Sequence, residues 1–378
     1  LRVIFSVQPV RMRLGIDLRP LLGAVRTGVG EYTAGLVVAL AQTAAEHEIV
    51  LWINASTTQR LEDLLPELVG HPRVRFVATQ WPNRWLNAKL WLFKKPYLDD
   101  LAGGVDVWLS PNSNFTRLRT AKHALVVHDL SFELYPEFFS RKMRLWHWAV
   151  KPGVQAKQAH IIFTPSEYTA SDVAARWGIG RAKITVAAPA LSGDFPRTKF
   201  SKEQFKIPTN YFLCLGTLEP RKNIAAVITA FAEWRVRFDP AARLIIAGAA
   251  GWDAQILQLA NAQAGVQIRT SVSLEEKAAL LQHANCLVYP SWYEGFGLPL
   301  LEAMASGTPI VASARAALPE VAGTAAHYVH PDKPDEIIAA WCALRDEDYR
   351  ADLIARGHKR VGEFSWHQTA VKVWAALT

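Results

Sequence analysis

Within residues 289–311, YPSWYEGFGLPLLEAMASGTPIV, two carboxylates, Glu294 and Glu302, stand eight positions apart around a glycine loop. Gly295 and Gly297 let a backbone turn tightly and approach a ligand closely. Pro299 suits the first position of a helix, where a missing N–H costs nothing. Gly307 fits a left-handed helix C-cap, and Pro309 stops continuation. The pattern predicts a strand, a loop, a helix over 299–305 and a new strand from Ile310. Free amides of Gly295, Phe296, Gly297 and Leu298 then gather at a helix N-terminus, which favours phosphate. Glu302, one turn in, is placed to accept from a hydroxyl-rich group such as ribose. Glu294 points at whatever precedes the phosphate. The competing reading is an ordinary strand–loop–helix crossover with surface glutamates.

Three more constellations carry chemistry. In residues 215–224, LGTLEPRKNI, a strand ends at Gly216, and Arg221 and Lys222 begin a helix. Two cations there clamp a diphosphate, Arg as a planar fork and Lys as a point charge; exposed cations on a solvated helix start are the alternative. In residues 26–35, RTGVGEYTAG, Gly28 and Gly30 permit a loop that approaches a phosphate or acceptor. This is not the dinucleotide G-x-G-x-x-G, because Thr33 takes the third glycine position; a plain turn is the simpler reading. In VVHDL, His128 and Asp129 lie at the C-terminal end of a strand, the edge where open parallel sheets bind ligands. Ser166 reads as a helix N-cap and as structural. Asp346-Glu-Asp348 has the form of a D-x-D metal signature, but it follows a helix without nearby ligand partners and reads as a solvated charge run. No metal site is expected.

Positioning these residues takes two alternating sets of elements. Strands at 13–17, 48–53, 73–78, 105–109, 124–128 and 160–164 alternate with helices at 33–42, 61–65 and 141–158. After an irregular, basic linker at 190–208, strands follow at 211–215, 243–247, 266–269, 286–289, 310–312 and 326–329. Their helices fall at 224–237, 274–283, 299–305, 318–321 and 335–345. A last helix, 366–377, can cross back to the first domain. Short apolar strands alternating with helices predict α/β, doubly wound parallel sheets. The expected units are 12–192, 205–361 and a crossing helix over 362–378. A length of 378 residues agrees with two domains, since one core rarely exceeds ~250–300 residues.

A net charge of +8 allows nucleotide sugars, anionic lipids or nucleic acid, and selects none. Nucleic acid rests on charge alone and is not expected as a partner. The 14 tryptophans narrow the choice, because several adjoin basic residues. WPNRWLNAKLWLFKKPY (81–97) and FFSRKMRLWHWAVK (138–151) mix aromatic rings with cations at helical spacing. Such segments lie at membrane interfaces, with rings among headgroups and cations on anionic lipid; core-facing rings with exposed cations are the alternative. No apolar run reaches the ~20 residues that span a bilayer. Met12 opens a cleaner first strand, so residues 1–11 read as an upstream extension. Cys214 and Cys286, in apolar strand-like runs, read as buried free thiols of a reducing compartment.

Glu294-Gly-Phe-Gly-Leu-Pro-Leu-Leu-Glu302 resembles the Glu-x7-Glu signature of the retaining, GT-B-fold glycosyltransferases of family 4. The likeness covers nearly the whole chain and is best over residues 211–331. Residues 215–224 resemble the family's diphosphate motif with two departures: Thr217 stands for the usual Arg and Asn223 for the usual Gly. Arg221 can supply the missing guanidinium. The Glu-Pro-Arg-Lys-Asn version looks like a subgroup rich in mannosyltransferases of bacterial surface polysaccharides. The resemblance implies two Rossmann-like domains facing a cleft, with the nucleotide on the second and the acceptor on the first. It implies a nucleoside-diphosphate sugar donor, GDP-mannose favoured, no cofactor, and a lipid-linked glycan acceptor at the inner face of the cell membrane. Gly28 and Gly30 would face the donor phosphate and acceptor. His128 and Glu294 would contact the donor sugar at the reacting centre, Glu302 the ribose, and residues 270–273 the base. A GT-B sugar-nucleotide epimerase and a catalytically silent sugar-nucleotide-binding subunit remain as alternatives.

Overall fold

The computed structural model describes residues 11–22, 26–54, 61–249 and 251–378. Among these residues two parallel sheets form. The first contains β1 (Arg13–Asp17), β2 (Glu48–Asn54), β3 (Val74–Thr79), β4 (Val107–Ser110), β5 (Lys122–Val126), β6 (Ile161–Thr164) and β7 (Ile184–Val186). Its order is β3-β2-β1-β4-β5-β6-β7. The second contains β8 (Tyr211–Leu215), β9 (Arg243–Ala247), β10 (Val266–Arg269), β11 (Leu287–Tyr289), β12 (Ile310–Ser313) and β13 (Ala326–Val329). Its order is β10-β9-β8-β11-β12-β13. These strands read as continuous apolar runs because helices cover both faces, and β2, β4, β8 and β11 are almost wholly buried. Strand order reverses between β1 and β4 in the first sheet and between β8 and β11 in the second. Such switch points open a crevice at the C-terminal strand ends, and the chemistry-bearing residues leave the sheets there.

The C-terminal helix Trp366–Leu377 packs on helix Gly28–Gln42, so the chain does cross back to the first domain. A Cβ on Gly35 would fall 2.3 Å from the Trp366 ring, so glycine allows the approach. Trp374 Nε1 donates to the Leu40 carbonyl at 3.3 Å, and Thr369 Oγ1 to that of Ala188 at 2.5 Å. Cys214 and Cys286 are buried free thiols.

Several expected elements are redrawn. Residues 28–32 are not a loop: the helix begins at Gly28, and the Thr27 side chain caps it by accepting from Gly30 N. The stretch 141–158 is two helices, Arg141–Val150 and Pro152–Gln158. Lys151 between them takes a left-handed φ of 53° as the cap that closes the first helix, in keeping with helices ending at or before the residue that precedes a proline. Arg221 and Lys222 end a short 3-10 turn, Pro220–Lys222, and the helix proper starts at Ile224. Asp346, Glu347 and Asp348 are exposed, as a solvated run would be, and Asp346 is in addition a helix cap: its side chain accepts from Tyr349 N at the start of helix Glu347–Val361. Strand β7 and helix Ala254–Ala262 were not foreseen; both are short, and the helix follows the turn residues Gly251 and Asp253.

Candidate active site

The second switch point gathers the predicted donor residues. Arg221 and Lys222 follow β8, and Glu294 follows β11. Glu294 is only 6% exposed. Its Oε2 accepts from Arg221 at 2.7 Å and its Oε1 from Lys222 Nζ at 2.6 Å. Lys222 Nζ also donates to the Tyr289 hydroxyl at 2.5 Å. The Arg221 fork is further held by Glu219 at 2.6 Å and by the Tyr293 carbonyl at 2.7 Å. Burial pushes the Glu294 pKa up, but Arg221 and then Lys222 outweigh it and hold the carboxyl at about 2. The same carboxylates keep Arg221 charged in spite of burial. Asn223, in place of the usual glycine, adopts φ 56° and ties the turn to the carbonyls of Pro290 and Pro331 at 3.2 and 2.8 Å. Asparagine tolerates this left-handed conformation better than most side chains.

The glycine loop then leads into helix Leu298–Ser306, which begins one residue earlier than the sequence suggested, with Leu298 at its first position and Pro299 at the second. Gly297 caps it at φ 105°, and Gly307 ends it at φ 70°. The Phe296 side chain is not at the site: it lies in the second domain's core, edge-on to Phe364 at 5.5 Å, so only its backbone can meet a ligand. Gly216, at φ 133°, lies under the Lys222 stem: a Cβ added there would fall 3.2 Å from Cε.

Glu302, one turn into the helix, pairs with Lys277 at 2.5 Å. Glu31, in the first turn of helix Gly28–Gln42, lines the same small cavity from the opposite domain, with Leu298 and Trp366. Burial raises the Glu31 pKa, opposed first by Lys277. The first turn thus brings Glu31 to the Glu302 cavity, while Gly30 faces the Pro20 carbonyl and Gly28 open space. Residues 270–273 connect β10 to helix Leu274–His283, capped by Ser273. That helix carries Lys277, the partner of Glu302.

His128 comes from the first switch point. Its Nε2 lies 2.7 Å from the Pro111 carbonyl, in the segment after β4. A carbonyl only accepts, so Nε2 carries the proton and Nδ1 the lone pair. The ring sits edge-on to Tyr32 at 4.9 Å. Burial lowers the His128 pKa, against the pull of the Pro111 carbonyl and Asp129, so the imidazole is neutral at pH 7. The His128 carbonyl faces the glycine loop so closely that a Cβ on Gly295 would lie 1.8 Å from it. His128, Glu294 and the glycine loop are thus one cluster across the cleft.

Several participants escaped the sequence reading. Ser166 is the expected N-cap, but its Oγ also donates to the Gly295 carbonyl at 2.7 Å. Glu320 accepts from Glu167 N and Tyr168 N at 2.8 and 2.9 Å, and Tyr293 donates to Asp172 at 2.5 Å. All of these cross between domains, so no local pattern announces them. Asp17 and Arg19 form a buried pair at the end of β1, and Arg19 reaches the Phe115 carbonyl at 3.1 Å. Their place at the end of the first strand was a usable signal. Among the described residues no three His, Cys, Asp or Glu side chains are grouped to hold a metal ion.

On the first domain's surface, Trp85, Trp91, Leu92, Phe93, Leu145 and Trp148 are exposed. Trp146 is half-buried, edge-on to His147 at 5.1 Å. Among the described residues no helix is long and apolar enough to cross a membrane.

Comparison with known proteins agrees with this geometry. Residues 196–360 match the family model of glycosyl transferases group 1. The chain is 27% identical to O-antigen chain mannosyltransferase B of Escherichia coli, over 97% of this chain and 96% of that one. It is 30% identical to the O-antigen chain mannosyltransferase RfbU of Salmonella typhimurium, over 64% and 65% of the two chains. Sucrose-phosphate synthase from Thermosynechococcus elongatus superposes with a TM-score of 0.73 at 20% identity, covering 97% of this chain and 98% of that one. Residues 196–360 thus form a glycosyl transferases group 1 domain, and the two-domain chain is a glycosyltransferase of GT-B fold.

Proposed function

We propose that the protein is a retaining mannosyltransferase that uses a nucleoside-diphosphate sugar, GDP-mannose favoured, and extends a lipid-linked glycan in bacterial surface-polysaccharide synthesis. The observation that carries the reading is the Arg221–Lys222–Glu294 cluster under the glycine loop, facing His128. Mannose as the sugar is supported by the names of the relatives.

Each residue then has a task. Lysine has three N–H donors, and Lys222 uses two on Glu294 and Tyr289. The third is left for the donor diphosphate, beside the amides at the start of helix Leu298–Ser306. Arg221, held by three acceptors, fixes the loop that carries Glu294. Glu302 accepts from the ribose hydroxyls once Lys277 turns away. His128 offers Nδ1 to a hydroxyl of the donor sugar. In the transfer the anomeric C–O bond breaks and its electron pair leaves with the diphosphate. The acceptor oxygen attacks from the same face, and its proton passes to the departing phosphate. Fixed cations and amides stabilise that leaving charge without reorganising.

The cavity between Glu31 and Glu302 holds only about 20 Å³, whereas ligand pockets measure roughly 300–1,000 Å³. The domains therefore part for donor entry and close on it. The exposed tryptophans and cations of the first domain support peripheral binding at the inner face of the cell membrane, beside a lipid-linked acceptor.

A donor screen tests the assignment. Nucleotide release from GDP-mannose, with and without membrane lipid extract, should exceed release from UDP-sugars and should depend on the extract. Turnover without any acceptor, with epimerised sugar recovered, would favour an epimerase instead. Two substitutions test the roles. Glu302→Ala should weaken GDP and guanosine alike by at least about tenfold, since charged hydrogen bonds contribute roughly 1.5–3 kcal/mol each; unchanged calorimetric affinity in a folded variant rules the ribose role out. Lys222→Ala should weaken GDP far more than guanosine. Equal losses for both would make the lysine a support of the fold.

A further inference from the structure

Lys277 of the second domain stands between two carboxylates that come from different domains. It rises from the first turn of helix Leu274–His283, which packs on helix Leu298–Ser306. Its Nζ lies 2.5 Å from Glu302 Oε1, and the two side chains are only 20% and 14% exposed. The ammonium also rests over the Phe195 ring, 5.8 Å from its centroid. From the other domain, Glu31 leaves the first turn of helix Gly28–Gln42 and lines the same cavity. Among the described residues that line this cavity, Lys277 is the one cation, and Glu31 and Glu302 are the two carboxylates.

Glu31 is the member without a partner. It is half-buried, yet among the described residues its carboxylate takes no hydrogen bond and forms no ion pair. The helix dipole favours an acidic residue in a first turn. That explains a carboxylate at this position, but not its facing a cation of the opposite domain. Burial raises the Glu31 pKa, and Lys277 is the strongest opposing charge, ahead of Arg26. Arg26 is itself turned to the Leu64 carbonyl, at 2.6 Å. Two carboxylates thus share one lysine, which here is bonded to Glu302.

Ribose cannot reach Glu302 while Lys277 holds it. The cavity of about 20 Å³ has room for roughly one water molecule, so the sugar and the ammonium exclude each other there. A displaced ammonium left buried without a partner is unfavourable, and the Glu31 carboxylate faces the same space without a cation. We propose that Lys277 and Glu31 are positioning residues for the transfer: ribose takes Glu302, and the displaced Lys277 is handed to Glu31 of the other domain. The proposal rests on the ribose role of Glu302 in the reading above and deepens it. Without donor, the Lys277 ion pair lies within the second domain. With donor, the same lysine bridges the two domains, so occupancy of the ribose site is what adds the closing bond. A ligand that lacks the ribose hydroxyls leaves Lys277 in place and gains no bridge.

The test is a double-mutant cycle on nucleotide affinity in the full chain, by calorimetry, with GDP and with 2′,3′-dideoxy-GDP. Wild type, Glu31→Gln, Lys277→Gln and the double variant are compared. With GDP, Glu31→Gln should cost about fivefold to tenfold in the wild-type background and less than about twofold beside Lys277→Gln, because residues that meet in one state are non-additive by this order. With dideoxy-GDP the cost of Glu31→Gln should stay below about twofold in both backgrounds. Lys277→Arg keeps the cation and should restore the full cost of Glu31→Gln. In saturating GDP, small-angle scattering should show Glu31→Gln more expanded than wild type. Equal GDP losses in the two backgrounds would overturn the handover, as would equal losses with the two nucleotides, or no GDP loss at all. Identical scattering of Glu31→Gln and wild type would overturn the closing role. Equal wild-type affinity for GDP and dideoxy-GDP would sink the ribose contact of Glu302, and the handover with it. Binding of UDP in place of GDP would sink only the donor assignment, and the same cycle run with UDP and 2′,3′-dideoxy-UDP then decides the handover.

Discussion

Glu294→Gln is expected to abolish transfer and to destabilise the second domain. The carboxylate is the shared anion of Arg221 and Lys222, and all three are largely buried. Removing one partner of a buried pair leaves uncompensated charge and costs about 3–5 kcal/mol. For a domain of this size that lowers the melting temperature by roughly 6–20 °C. Activity should fall at least about a hundredfold, because Lys222 loses its anchor below the diphosphate as the loop beside it loosens. The pH dependence is equally definite. The Glu294 pKa is about 2 in the folded chain against an ordinary glutamate value of 4.5. A depressed carboxyl pKa contributes stability that is fully present above the unfolded value and is lost as pH falls through the folded one. The stability gap between wild type and Glu294→Gln should therefore be constant from pH 7 to 5 and narrow below about 4.5. Denaturation curves of both proteins across that range check it. A gap that widens on acidification contradicts the pairing.

The second large effect belongs to Gly295→Ala. The added methyl would meet the His128 carbonyl at 1.8 Å and the Asp129 Cβ at 3.0 Å. Both belong to the first domain, and the carbonyl is backbone that cannot rotate away. The domains must stay apart, which holds Glu294 and the diphosphate site away from His128. A displacement near 1 Å can cost about a hundredfold in rate. GDP affinity should change little by comparison, because Lys222 and Glu302 lie within the second domain. Turnover with GDP-mannose, GDP calorimetry and solution scattering together separate the outcomes: slow, tightly binding and expanded is the expected combination. Full activity would mean that the close approach is not part of the reacting state.

Much of this site was legible because its signals are local. The glycine loop, the proline and the cap at Gly307 fix a strand–loop–helix within one stretch, and the structure moves its helix start by a single residue. The alternating apolar strands gave both sheets, since buried parallel strands read as unbroken apolar runs. Gly28 was misread because glycine disfavours helix interiors, yet the Thr27 cap and packing against helix Trp366–Leu377 outweigh that preference. Less legible was how the charges pair. Arg221 and Glu294 are 73 positions apart, and Lys277 and Glu302 are 25 apart on different elements. Their meeting depends on which strands flank the switch point. Ser166 shows the same limit: the sequence reveals the cap, and only the facing of two domains reveals the bond to the Gly295 carbonyl.

The central claim is retaining transfer of mannose by a site whose positive charge comes from Lys222, Arg221 and helix amides. The measurement that tests it most directly is the anomeric configuration of the product formed from GDP-α-mannose, determined by NMR, with the reaction run in EDTA. The account predicts an α-mannosidic linkage formed at an undiminished rate. A β-linked product, or activity that disappears in EDTA and returns with manganese, would contradict it.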